Sequence, residues 1–138
     1  MEPQMDTDAH GLNVVTEKII GCAYKVLNEL GCGFLEKVYE NAMVIALRKA
    51  GLRVTQQVAT PVYYEGEVVG DYIADLIVEG MVLVELKAVR ALDEVHEAQC
   101  INFLKATNLP ICLLMNYGRP RLGLRRFAGA KLIQKVDD

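Results

Sequence analysis

Metal-binding spacing is missing from this chain. Its four cysteines, Cys22, Cys32, Cys100 and Cys112, contain no CxxC pair, and its two histidines, His10 and His96, complete no zinc-type set with them. A chain of 138 residues buries a core without cross-links, so the cysteines read as buried free thiols in a reducing, cytoplasmic setting. No apolar run approaches the roughly 18 residues of a membrane span. The opening segment MEPQMDTDAH lacks the basic and apolar regions of a signal peptide. It reads as a flexible tail over residues 1–12, ahead of a single domain over 13–138. Repeats, low-complexity tracts and linkers are absent too. A formal net charge of −3 excludes a general magnet for nucleic acid.

What is present is an apolar majority, 52% of residues against 24% charged, the composition of a folded domain. Val15, Ile19, Ala23, Val26, Leu27 and Leu30 keep helical spacing from Val14 to Leu30, and Gly31 and Gly33 stop that helix. A second helix is predicted from Leu35 to Ala50, burying Leu35, Val38, Ala42, Met43, Ile45 and Ala46. From Arg53 the period changes to that of antiparallel strands rich in Val, Ile and Tyr. Turns fall at Glu65-Gly66 and Glu79-Gly80, and Pro61 favours an edge or a bulge. A helix from Asp93 to Ala106, capped by Asp93, precedes a buried strand in PICLLMNYG and one or two edge strands in LGLRRFA and KLIQKV. The order is ααβββαββ.

The stretch VLVELKAV, residues 82–89, puts Glu85 and Lys87 in a strand that otherwise reads as buried on both faces. Charges there are costly unless paired, hydrogen-bonded or bound to metal. Strand alternation sends both to one side. Asp75, in YIADLIV, is another carboxylate in an apolar strand, on the other arm of the Glu79-Gly80 hairpin. A strict two-residue turn pairs Ala74 with Glu85 and sends Asp75 to the opposite face. Convergence requires a three-residue loop, a bulge or strong twist. If Asp75 and Glu85 converge with Lys87, the oxygen donors suit Mg²⁺ or Mn²⁺ and the chemistry suits phosphodiester hydrolysis. The alternative is a Glu85–Lys87 ion pair, or projection to solvent. The segment GRPRLGLRRFAGAKLIQK carries Arg119, Arg121, Arg125, Arg126, Lys131 and Lys135 without an acidic residue. It is either a phosphate-binding face or a solvated surface.

The segment GFLEKVY, with Gly33, Glu36 and Tyr39, is followed in order by ADLIV, VELKAV and EAQCINFLKAT. Over nearly the whole chain after the tail this resembles the GxxExxY protein family, which is grouped with the PD-(D/E)xK nuclease superfamily. The resemblance implies an α/β, restriction-endonuclease-like fold with a mixed central β-sheet flanked by helices. It implies Asp75 and Glu85 as metal ligands, the Leu86 carbonyl as a further ligand, Lys87 as the catalytic lysine, and Glu36 as the acidic residue of the preceding helix, also at the metal. Glu36 and Tyr39 lie three apart and could face one cleft; core packing is the other role open to Tyr39. His96, Gln99 and Phe103 form one helix stripe. Exonuclease-like branches of the superfamily carry Q-x-x-x-Y, and here Gln99 is followed by Phe103, without the hydroxyl. Gln99 is left to bind a phosphate or orient Lys87, and His96 to help hold substrate. Ala74 stands where the conventional motif has proline. The implied activity is a Mg²⁺- or Mn²⁺-dependent nuclease cutting phosphodiester bonds in DNA by metal-activated water. Arg125 and Arg126 would hold the backbone, a homodimer follows by analogy, and no membrane is involved. Two alternatives stand beside it: a non-catalytic nucleic-acid-binding or assembly module that keeps the fold, and a site for a small phosphorylated ligand.

Overall fold

The computed structural model describes residues 9–130. Its elements are α1 (Ala9–Leu30), α2 (Glu36–Lys49), β1 (Val54–Tyr64), β2 (Glu67–Val78), β3 (Val82–Lys87), α3 (Glu94–Thr107), β4 (Ile111–Asn116) and β5 (Gly123–Ala128), in the predicted order. The strands form one sheet, β1-β2-β3-β4-β5. β3 and β4 are parallel and all other neighbours antiparallel, with α3 as the crossover that parallel pairing needs. Helices α1 and α2 cover one face, packing Ile19, Leu27, Met43 and Leu47 with Leu76, Val84 and Leu113. On the other face α3 lays Phe103 and Leu104 with Ala74, Leu83 and Leu114. Burial on both faces is why β3 and β4 read as continuous apolar runs. Among the described residues no helix is long and apolar enough to cross a membrane.

The departures from the sequence reading are local. α1 begins at Ala9, so residues 9–12 of the predicted tail are helical and Leu12 is buried. α2 buries Tyr39, Glu40, Met43, Val44 and Leu47, whereas Leu35, Val38 and Ile45 of the predicted stripe are exposed, as is Leu30 at the end of α1. Cys32 is exposed; the other three cysteines are buried. The predicted KLIQKV strand, with Lys131 and Lys135, lies outside the described residues.

Two connections set the register. Glu65 and Gly66 take positive φ, 50° and 81°, in a two-residue hairpin turn between Tyr64 and Glu67. The β2–β3 connection has three residues, Glu79, Gly80 and Met81, so Leu76 faces Val84. Continued one step, that register brings Asp75 opposite Glu85. Pro61 lies on the edge strand β1, beside a register shift at Val62/Tyr63, where a missing N–H is tolerated. Gln57, with φ 55°, breaks the regularity of β1. Beside it β2 changes face: Leu76 packs in the α1/α2 layer and Ala74 in the α3 layer, although a regular strand would put both on one side.

Candidate active site

The β2–β3 ladder ends at Leu76 and Val84, one residue short of Asp75 and Glu85, and side chains take over there. The Leu86 N–H donates to Asp75 Oδ2 at 2.8 Å, and the Asp75 N–H donates to Glu85 Oε1 at 3.3 Å. Each carboxyl thereby satisfies a main-chain donor that the ladder leaves over, and the two are held side by side. Glu85 is 5% exposed. Burial, reinforced by the charge of Asp75, pushes its carboxyl up to about 9. Burial raises Asp75 too, the nearby Glu40 adds to the rise, and the Leu86 N–H and Lys87 oppose it. Side by side and buried, the pair favours keeping a proton over carrying two charges. Half-buried Lys87 follows Glu85 at the i+2 position, on the same side of β3. Among the described residues no ion pair engages Lys87, so a Glu85–Lys87 pair is not what accommodates these charges.

Asp75, Glu85, Lys87, Gln99 and Phe103 line a cavity of about 330 Å³. The structure thus brings Gln99 from α3 to the two carboxylates and the lysine. Phe103 packs on Tyr72, ring centroids 4.7 Å apart. A second cavity, about 660 Å³, shares only Asp75 with the first and is lined by Phe34, Leu35, Glu36, Lys37, Glu40 and Gln57 among others. Glu36 stands here, exposed, its Oε1 accepting from the Ala88 N–H at 3.4 Å. Glu36, Asp75 and Glu85 do not meet at one point: among the described residues no three Asp, Glu, His or Cys side chains group closely enough to hold a cation. The available donors are Asp75, Glu85 and the main chain at Leu86. This set fits a hard divalent ion, because two adjacent carboxyls whose ionisation is opposed by burial and mutual repulsion lack a counter-charge that such an ion provides.

Four other residues predicted to contact substrate lie elsewhere. Tyr39 is fully buried and stacked on Tyr117 with centroids 4.4 Å apart, so it is a core residue and lines neither cavity. His96 Nδ1 accepts from the Asp93 N–H at 3.1 Å while Asp93 Oδ1 accepts from the Val95 and His96 N–H groups. It completes the capping box of α3 and lines neither cavity. Arg125 and Arg126, neighbours on a strand, diverge: Arg125 Nε lies 3.4 Å from Glu97 of α3, and Arg126 reaches Asn13 of α1 at 3.3 Å. They do not form one basic face.

Two residues at the site carry no motif that sequence reading could pick out. Glu40 is 4% exposed and accepts from Lys37 Nζ at 2.9 Å, Gln57 Nε2 at 2.8 Å and Gln56 Nε2. Its one signal is a carboxylate directly after an aromatic on a helix. Buried Asn116 accepts from the Val89 and Gly118 N–H groups through Oδ1 and donates to the Val89 carbonyl through Nδ2, all within 3.0 Å. It fixes the chain just past Lys87. Gly118 belongs to the same clasp, since a Cβ there would fall on the Val89 backbone.

No curated protein matches the chain. The crystal structure of SSO0001 superposes with a TM-score of 0.54 at 16% identity, covering 74% of this chain and 55% of that one; the chain thus spans about half the length of that relative. An alkaline exonuclease from Laribacter hongkongensis superposes with a TM-score of 0.52 at 14% identity, covering 96% of this chain and 76% of the exonuclease. At these identities the likeness is one of fold, the restriction-endonuclease-like mixed sheet flanked by helices. The family model of the PD-(D/E)XK nuclease superfamily, whose members generally use divalent metals, matches residues 13–127. That span takes in α2, α3 and the whole Asp75–Glu85–Lys87 constellation, and the chain belongs to the PD-(D/E)XK nuclease superfamily.

Proposed function

We propose that the protein is a divalent-metal-dependent nuclease hydrolysing phosphodiester bonds in DNA, placed in the GxxExxY group of its superfamily by Gly33, Glu36 and Tyr39. The observation that supports this best is the buried Asp75–Glu85 pair with a lysine beside it that, among the described residues, no ion pair engages, all at one cavity. Without such a partner, its ammonium is available to a phosphate at the cavity. Mg²⁺ or Mn²⁺ held by Asp75, Glu85 and the Leu86 carbonyl would supply the counter-charge and lower the pKa of a coordinated water. Lys87 Nζ holds a phosphate oxygen and stabilises the charge that grows on it in the transition state. Gln99 donates from the α3 side of the cavity and orients the same phosphate. Glu36, through the Ala88 N–H, steadies the chain that follows Lys87.

Titration calorimetry with Mg²⁺ and Mn²⁺ in the presence of a short DNA that carries both a duplex and a single-stranded end, with product analysis on the same samples, tests the reading. Wild type is expected to bind metal and cut; Asp75→Asn is expected to lose both. A wild type that binds DNA without metal or cleavage would instead be the non-catalytic module.

Backbone contact falls to Arg119 and Arg121, in the exposed loop beside Gly118 and the larger cavity. An Arg119→Ala/Arg121→Ala double variant is expected to weaken DNA binding and flatten the log Kd versus log salt plot by about 2. Arg126→Ala is expected to leave the slope as it is. Fluorescence anisotropy over a salt series measures both, and an unchanged slope in the double variant would refute the placement. A homodimer belongs to the same reading, because among the described residues β2 pairs with β3 only through Leu76, Ile77 and Val78 and no strand pairs with it on that side from Glu67 to Ile73. Sedimentation showing monomer alone at micromolar concentration would remove it. Free thiols suit a cytoplasmic enzyme.

A further inference from the structure

The GFLEKVY motif contributes Glu36 to the rim of the site, yet its tyrosine is in the core. Tyr39 instead fixes the connection between α1 and α2. Its hydroxyl donates to the Gly31 carbonyl at 2.6 Å and accepts from the Phe34 N–H at 3.1 Å. The ring of Phe34 packs edge-on against it, centroids 6.2 Å apart. Gly31 and Gly33 take φ of 73° and 110°, conformations that side-chain-bearing residues rarely adopt. What this latched segment presents to solvent is apolar: Phe34 is 48% exposed and Leu35 82%. Leu35 also occupies the N-cap of α2, with no side-chain cap, where Ser, Thr, Asp or Asn would stabilise the helix. Fold stability therefore accounts neither for the exposure nor for the residue type.

Phe34 and Leu35 line the larger cavity together with Glu36, Lys37, Gln57 and Asp75. We infer that Phe34 and Leu35 form a platform for an unstacked nucleobase of the substrate strand, next to the phosphate at Asp75, and that Tyr39 is the residue that positions this platform. The inference rests on the nuclease reading and names its substrate class: a single-stranded or frayed end rather than an intact duplex. A base fits the chemistry of the cavity. It offers an aromatic face to Phe34, an apolar surface to Leu35, and edge groups that hydrogen-bond to Gln57 and Glu36. Because Asp75 belongs to both cavities, a strand whose phosphate lies at Asp75 places an adjoining base against Phe34. In a duplex that base is stacked on its neighbours and out of reach.

The test is a titration of wild-type protein into a short DNA single strand carrying 2-aminopurine, in chelator so that nothing is cut, with a blunt duplex of the same sequence alongside. Wild type is expected to favour the single strand and change its 2-aminopurine fluorescence. Phe34→Ala/Leu35→Ala is expected to abolish that change and weaken single-strand binding about tenfold, while calorimetry shows Mn²⁺ binding intact. Tyr39→Phe keeps the ring stack and loses only the latch, and is expected to reduce the fluorescence change in a protein that still melts cooperatively. Ile45→Ala, exposed on the same helix but outside this cavity, is expected to alter neither signal. Single-strand affinity and fluorescence unchanged in the double variant would overturn the platform and leave the nuclease reading standing. Loss of Mn²⁺ binding in the double variant would also overturn it, because the residues would then be structural. A wild type that binds neither metal nor strand would overturn both.

Discussion

Lys87→Ala is expected to lower single-turnover strand cleavage by about 10²–10³-fold while leaving the protein folded. Removing one partner of a buried ion pair normally leaves an uncompensated charge and destabilises strongly. Lys87 is only half-buried and no ion pair engages it among the described residues, so its loss orphans no carboxylate, and a stability change within about 1 kcal/mol is expected. The ammonium and a bound cation repel each other, so Mn²⁺ affinity in the variant should be kept or rise. Lys87→Arg should not restore the rate, because a planar guanidinium cannot occupy the place of a compact ammonium beside two packed carboxyls. Cleavage of a labelled strand at saturating metal, with a thermal melt of each variant, checks this. Wild-type rates in Lys87→Ala would put the chemistry somewhere other than the end of β3.

Lys87 and Glu85 are conspicuous in the sequence because β3 is covered on both faces, and a doubly covered strand tolerates no charge without a reason. Their convergence with Asp75 is legible only as a condition. The dipeptide Glu79-Gly80 fits a turn of two residues or three, and it is Met81, buried at 3%, that joins the loop and sets the register. The buried face of α2 is not legible at all, since the helix carries two apolar stripes and the choice between them belongs to α1 and the sheet. That choice also separates Glu36 from Tyr39: three-residue spacing puts both on one side of a helix, but at the first turn Glu36 meets the cavity while Tyr39, one turn in, meets the core. The divergence of Arg125 and Arg126, by contrast, follows from the period of two along any strand. Glu40 and Asn116 are significant only because they are buried, and burial of a lone polar residue is a tertiary fact.

In the metal-free protein, stability is expected to fall as pH rises from about 5 to about 9, and Glu85→Gln to remove most of that slope. The folded-state carboxyl of Glu85 is raised from its ordinary value of 4.5 to about 9, by burial first and then by Asp75. Below pH 4.5 the group is protonated in both states and its contribution to stability is fully present. Between those two values the unfolded chain releases a proton that the folded chain keeps, so each pH unit costs about 1.4 kcal/mol. At pH 7 the accumulated loss is on the order of 3 kcal/mol, a large share of the stability of an ordinary domain. Asp75, raised in the same direction from its ordinary value of 3.8, contributes in the same sense. Glutamine stands in for the protonated acid: its Oε1 still accepts from the Asp75 N–H, and its amide N–H can donate to the Asp75 carboxylate. Urea denaturation in chelator at intervals from pH 5 to 9, for wild type and Glu85→Gln, measures the difference, with the variant more stable at neutral pH. Adding Mn²⁺ should then favour wild type alone, increasingly so toward pH 9, because the ion binds the deprotonated carboxyls and must displace the proton from Glu85. A metal-free wild type whose stability stays level over that range would mean that Glu85 is ionised in the folded protein without a metal.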